Sequence, residues 1–162
     1  EQARVELAAR LEAAGHQSPS GSLGIYGRSA EFEAVVDALG KQLVAMEEPD
    51  EKVARIFFPP LEPMAAYLKT DYLASFPQLT GAVDTFMGND KDHRALLKTY
   101  EAGEPWTDQL VPSGLMMVPA TCHNVYPRYA GQLEVNQRVE ARSWCFRHEP
   151  EVDQMRMVCF RI

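Results

Sequence analysis

The residues best suited to chemistry lie near the end of the chain, in Phe146-Arg147-His148-Glu149, a polar loop, and then Arg156-Met157-Val158-Cys159-Phe160. Alternate side chains of an extended strand share a face, so Arg147 and Glu149 would project together while a returning strand adds Arg156 and Phe160. An arginine fork grips a phosphate with two hydrogen bonds, a carboxylate accepts from a base amino group, and a phenylalanine ring stacks on the base. That set suits a nucleotide. It also fits a plain surface hairpin in which Arg147 pairs with Glu149, the commoner use of alternating charges on strands.

Cys122 is the second candidate, in Pro119-Ala120-Thr121-Cys122-His123. Taken alone it reads as an ordinary buried thiol, because isolated cysteines behave as small hydrophobes. His123 and His148 stand beside these positions and read as structural hydrogen-bonders. Cys145 and Cys159 read as packed strand residues, the seven methionines as core filling, and Asp90-Lys91-Asp92 as a solvated helix start. Arg28 and Arg94 read as surface ion pairs.

Composition bounds what these residues can belong to. The 162 residues are 46% hydrophobic and 24% charged, which excludes a disordered chain and fits one core. A net charge of −7 gives no global attraction for a polyanion such as tRNA. Three cysteines are an odd number, better suited to reduced thiols or a metal ligand than to a disulfide framework. No apolar run approaches the ~18 residues of a membrane span, and the opening EQARVELAARLEAAG lacks a signal-peptide pattern. The expectation is a cytoplasmic protein with no membrane contact, both of whose ends look cut.

Stepping along the chain, Val5 to Ala14 reads as a helix stopped by Gly15, and His16 to Ser22 as a polar linker. Ser29 caps a second helix whose Phe32, Val35, Val36, Leu39 and Leu43 share one face that must bury against something. Val53 to Phe58 reads as a strand ended by Pro59-Pro60. Glu62 to Thr70 and Lys91 to Glu101 read as short helices; Tyr72 to Pro77 has no clear period, and Leu115 to Val118 is a short strand candidate. Arg138 to Arg147 and Met155 to Ile162 predict an antiparallel hairpin with a long tip.

The hairpin FRHE-PEVDQM-RMVCF resembles motif 2 of the class II aminoacyl-tRNA synthetases, and residues 32–60 resemble motif 1, whose marker is Pro59 or Pro60. Motif 2 is placed at about 144–162. The chain looks most like the amino acid:[carrier protein] ligases, homologues of the seryl-type catalytic domain. Their pattern is matched by Gly24 to Ser29, Phe58 to Pro60, Tyr72 to Pro77, Gly88-Asn89, His93-Arg94, Ala102 to Thr107, Pro119 to Cys122, Tyr126-Pro127 and Cys145 to Pro150.

The resemblance implies an α+β fold, an antiparallel sheet flanked by helices, in a single domain over 1–162 and a homodimer through motif 1. It implies activation of a small amino acid, of glycine or alanine type, with ATP and Mg²⁺, and transfer to the phosphopantetheine thiol of a carrier protein. Arg147 and Glu149 are the implied catalytic residues: Arg147 holds the α-phosphate, Glu149 sits at the adenine side, Phe160 stacks on adenine, and Arg156 is a further phosphate or loop contact. Cys122 is an implied Zn²⁺ ligand facing the amino acid, on a strand where seryl-type enzymes carry glutamate.

The family's third motif, its zinc glutamate and its second zinc cysteine are not matched within these residues, so the expectation is an N-terminal part of the catalytic domain, cut before motif 3. Two rivals stay open. A seryl-type aminoacyl-tRNA synthetase shares both motifs, although too little chain precedes Phe32 for a long helical arm, and tRNA is not the expected partner. A non-catalytic class II module could dimerise and bind without turnover.

Overall fold

The computed structural model describes residues 2–46, 53–131, 134–148 and 159–161. Helix α1 (Gln2–Ala13) leads into a hairpin of β1 (Gln17–Pro19) and β2 (Tyr26–Arg28), paired from Gln17↔Arg28 to Pro19↔Tyr26. The stretch read as a linker is therefore half strand. Its polar side chains carry no period, and the pairing comes from the backbone.

Helix α2 (Ala30–Ala45) begins where the sequence places it. Ser29 Oγ accepts from Phe32 N at 3.2 Å and lies 3.0 Å from His16 Nδ1, so one hydroxyl serves both the cap and the preceding loop. Glu31 and Glu33 lie in the first turn, where the helix dipole favours negative charge. The backbone N–H of Glu31 and the Ser29 hydroxyl hold the Glu31 carboxyl below its ordinary range.

Strand β3 (Val53–Phe57) runs parallel to β7 (Arg138–Arg142), and Phe58 N continues the pairing onto Arg142 O at 3.0 Å. Among the described pairs this is the only parallel one, a local departure from the mainly antiparallel expectation. Glu140 braces it, accepting at 2.9 Å from both Arg55 Nε and Arg142 Nε, while Arg142 Nη2 reaches Gly40 O on α2.

β4 (Leu61–Pro63) and β5 (Gly81–Thr85) flank β6 (Val111–Met117) in an antiparallel sheet. The helix expected over Glu62 to Thr70 shrinks to α3 (Met64–Tyr67), because Leu61 to Pro63 pair with Met117 to Leu115 and Thr70 Oγ1 closes the last turn on Tyr67 O. α4 (Tyr72–Ser75) occupies part of the stretch without clear period. α5 (Asp90–Glu101) carries a full capping box, in which Asn89 Oδ1 accepts from Lys91 N and Asp92 N while Asp92 Oδ2 accepts from Asn89 N. α6 (Cys122–Arg128) follows β6.

The strand expected from Arg138 to Arg147 is two strands. It breaks at Ser143, whose hydroxyl donates to Trp144 O, so that β8 (Trp144–Phe146) turns from β3 and pairs antiparallel with β9 (Cys159–Arg161). Arg28 ties α2 to this strand: its guanidinium lies 5.1 Å from the rings of both Phe32 and Trp144 and pairs with Glu33. The core sits under β6 and β8, with Tyr67, Met116, Val118 and Cys145 buried. The methionines divide: Met116 is core, while Met46 and Met87 face solvent, contrary to the core-filling expectation.

Candidate functional site

The site is organised by residues 118–124, which run from the end of β6 into α6. The first half is held by β8. Phe146 N donates to Val118 O at 2.8 Å, Arg147 Nε donates to Pro119 O at 2.9 Å, and Thr121 Oγ1 shares a hydrogen bond with Cys145 Sγ at 3.4 Å. Phe146 in turn lies against Gly81, where a Cβ would stand 2.7 Å from its ring. The absence of a side chain on Gly81 is what lets β8 come so close.

The second half is held by the double proline after β3 and by β4. Asn124 Nδ2 donates to Pro59 O at 3.2 Å and to Leu61 O at 3.4 Å. His123 Nδ1 lies 2.8 Å from Glu62 Oε1, and both side chains are 1% exposed. Tyr72 meets the imidazole edge-on at 4.6 Å between centroids, with Tyr67 at 5.7 Å and Tyr126 at 6.2 Å. Tyr67 is itself pinned, its hydroxyl 2.8 Å from Thr80 Oγ1.

Arg147 stands one residue beyond β8, half-buried, its Nε taken by Pro119. It is therefore not on the strand itself as the alternation implied; the backbone carbonyl, not the strand pleat, aims it. Glu149 and Arg156 lie outside the described residues. Phe160 is the middle residue of β9, its backbone opposite Cys145, so the strand and its return are in register as the hairpin reading requires.

Cys122 is the first residue of α6, exposed to solvent. Both the buried-thiol reading and the expected strand are corrected here: the segment is the first turn of α6, with His123 buried against Glu62 of β4 and Cys122 facing outward. Tyr126, one turn on, has its hydroxyl pushed above its ordinary value by a hydrogen bond with the Cys122 side chain. Burial pushes the Cys145 thiol up as well, opposed in part by the Thr121 hydroxyl and by the charge of Arg147.

Among the described residues no three His, Cys, Asp or Glu side chains stand together as a metal cage. A catalytic zinc takes three protein ligands, and here Cys122 is one donor whose neighbour His123 is buried and committed to Glu62. The described donor set does not by itself fit zinc, and no step below passes through it.

His123 was read from sequence only as a structural hydrogen-bonder, which it is. Glu62 and Asn124 carried no signal at all. Their partners are 61 to 65 positions away, beyond any local spacing rule.

No family model matches the sequence. Amino acid--[acyl-carrier-protein] ligase 1 of Bradyrhizobium diazoefficiens is 34% identical over 145 residues, 88% of this chain and 44% of the relative. Ligase 2 of the same organism is 35% identical over 149 residues, 88% of this chain and 43% of the relative. The chain thus spans less than half the length of the curated relatives it matches. Among solved structures, the M. kandleri SerRS in complex with A. aeolicus tRNASec superposes with a TM-score of 0.77 at 16% identity, covering 95% of this chain and 32% of that one. At that identity the likeness speaks for the fold alone. The two findings agree with the motifs: this chain has the class II seryl-tRNA synthetase fold and is, by sequence, a relative of the amino acid--[acyl-carrier-protein] ligases over a little under half their length.

Proposed function

We propose that these residues form part of an enzyme that activates a small amino acid, of glycine or alanine type, with ATP and passes it to the phosphopantetheine thiol of a carrier protein. The observation that supports this most is the 34% and 35% identity to two proteins named for that ligation, across 88% of the chain.

In this reading the amino acid carboxylate attacks the α-phosphorus of ATP, an aminoacyl-adenylate forms, and pyrophosphate leaves. Arg147 offsets charge at the α-phosphate, and Mg²⁺ when bound supplies further positive charge there. Glu149 accepts from the adenine amino group, Phe160 stacks on the ring, and Arg156 makes a second phosphate contact. No general base is needed, because the carboxylate is already ionised. The carrier thiol then attacks the acyl carbon, and AMP departs. Cys122 faces the amino acid, where it would be one donor to Zn²⁺ only with ligands from outside the described residues. Two copies pair through α2, whose apolar stripe is uncovered in the single chain.

Amino-acid-dependent exchange of pyrophosphate into ATP tests this, run on the natural protein that carries these residues, over a panel of small amino acids with and without Zn²⁺. Exchange that falls about 10²–10³-fold in Arg147→Ala, followed by charging of a carrier protein, is the expected result. Charging of tRNA instead would move the assignment to a seryl-type synthetase. No exchange with self-association intact would leave a non-catalytic module.

A further inference from the structure

The Glu62–His123 pair is chemically extravagant for a packing contact. Both side chains are 1% exposed, and Glu62 Oε2 has no hydrogen-bond partner. Two apolar residues of the same volume would serve the core as well or better, because taking ionisable groups out of water is costly and one bond returns only part of that cost. A directional bond, however, does what an apolar contact does not: it fixes how the ring points.

The helix that carries His123 needs such a fix. α6 is seven residues long, too short to hold its own direction, and contains Pro127. Its cap residue, Thr121, makes no side-chain bond to the helix. The direction of its first turn comes from tertiary ties, two of them buried: Thr121 to Cys145 at the cap, and His123 to Glu62 inside the helix. Successive helical side chains point about 100° apart. Holding His123 inward, between Tyr67, Tyr72 and Tyr126, therefore holds Cys122 outward.

The other end of the same segment is tied to Arg147 through Pro119 O. Residues 119–122 thus span from the arginine proposed for the α-phosphate to the cysteine proposed for the amino acid end. We infer that Glu62 and His123 are positioning residues, whose bond sets where Cys122 stands relative to Arg147 and so how well the amino acid is held. This inference rests on the proposed function for its kinetic consequence, and on the fold alone for its effect on Cys122.

The test replaces the pair by apolar residues, Glu62→Leu with His123→Leu, in the natural protein. Such a core folds, by the argument above. Two readings are taken. One is the rate at which iodoacetamide labels Cys122, with buried Cys145 as an internal reference. The other is pyrophosphate exchange with KM measured separately for amino acid and ATP. Labelling of the exposed Cys122 about tenfold slower, with KM for amino acid up by on the order of tenfold and KM for ATP unchanged, is the expected result, since small misplacements near reacting groups cost one to two decades.

An unchanged labelling rate in a folded double variant overturns the inference, as does a rise of both KM values together. If the double variant does not fold, a second pair of variants decides. The amide of His123→Asn reaches the place of Nδ1 and that of His123→Gln does not, so Asn is expected to keep the fast labelling and Gln to lose it. Equal rates in the two would sink the inference. Wild-type protein without any exchange refutes the proposed function, and the labelling comparison still judges the pair.

Discussion

The segment around His123 and the outer face of α2 make an instructive contrast. Around His123, polar groups, the Glu62–His123 pair fully buried among them, are tied to elements distant in sequence: Glu62 from β4, Pro59 from just after β3, Cys145 and Arg147 from β8 and its end. On α2, apolar groups are left bare, with Val35 61%, Leu39 56% and Leu43 69% exposed. The sequence pattern promises a buried helical stripe, and of His123 only that it is a structural hydrogen-bonder. One region is completed by its own chain, and the other presents the kind of contiguous apolar surface that marks an interface. The proposed homodimer would place a second α2 there, so that a surface unfinished in one chain is finished in two.

Substitutions can sharpen or break that contrast. The largest stability effect is expected at the closed region, where Glu62→Ala leaves His123 buried without its partner. A loss of about 3–5 kcal/mol in urea unfolding is expected, and a loss near zero would mean that the pair is not closed in solution. Gly81→Ala comes next: the added methyl meets the Phe146 ring, and overpacking of this kind costs about 1–3 kcal/mol, read by thermal melting. On the open face, Leu39→Lys is expected to change subunit stability by no more than about 0.5 kcal/mol while abolishing self-association in sedimentation. A large stability loss there would show the stripe covered by the chain itself.

The smallest effect concerns pH. The Cys145 thiol keeps its proton to higher pH in the folded chain than in the unfolded one, because burial raises it. Its contribution is complete below the ordinary thiol range and is lost as pH rises through the raised value. Stability should therefore decline on the alkaline side, and Cys145→Ala should flatten that decline in pH-dependent melts.

Local signals were legible in the sequence. The Ser29 cap and the apolar spacing beyond it give α2, and the helix read over Lys91 to Glu101 gives α5 within a residue of its start. The final antiparallel hairpin was legible too, although only Trp144 to Phe146 of its first strand pairs with the return. What failed was everything decided by distant partners. Leu61 to Pro63 sits in a segment with helical composition and becomes a strand because Met117 to Leu115 lie alongside. β5 has a glycine and an aspartate, poor strand formers, and exists because β6 pairs with it across a register shift at Val83/Asp84. At the site, residue types named Arg147 and Cys122, but only the fold shows that one short segment holds both, and that Glu62 helps to do so.

The parallel pairing of β3 with β7 carries a consequence for how the chain comes to be folded. Arg55 meets Glu140 across 85 positions, so this contact closes a long loop and is among the most costly in chain entropy. During synthesis Val53 to Phe57 emerges long before Arg138 to Arg142 exists to pair with it. Until then a β-prone strand waits unpaired, exposed to other nascent chains. The protein's vulnerable interval is thus set by the ribosome's travel from β3 to β7, and a pause in translation between them would be expected to cost more soluble product than a pause anywhere after Arg142.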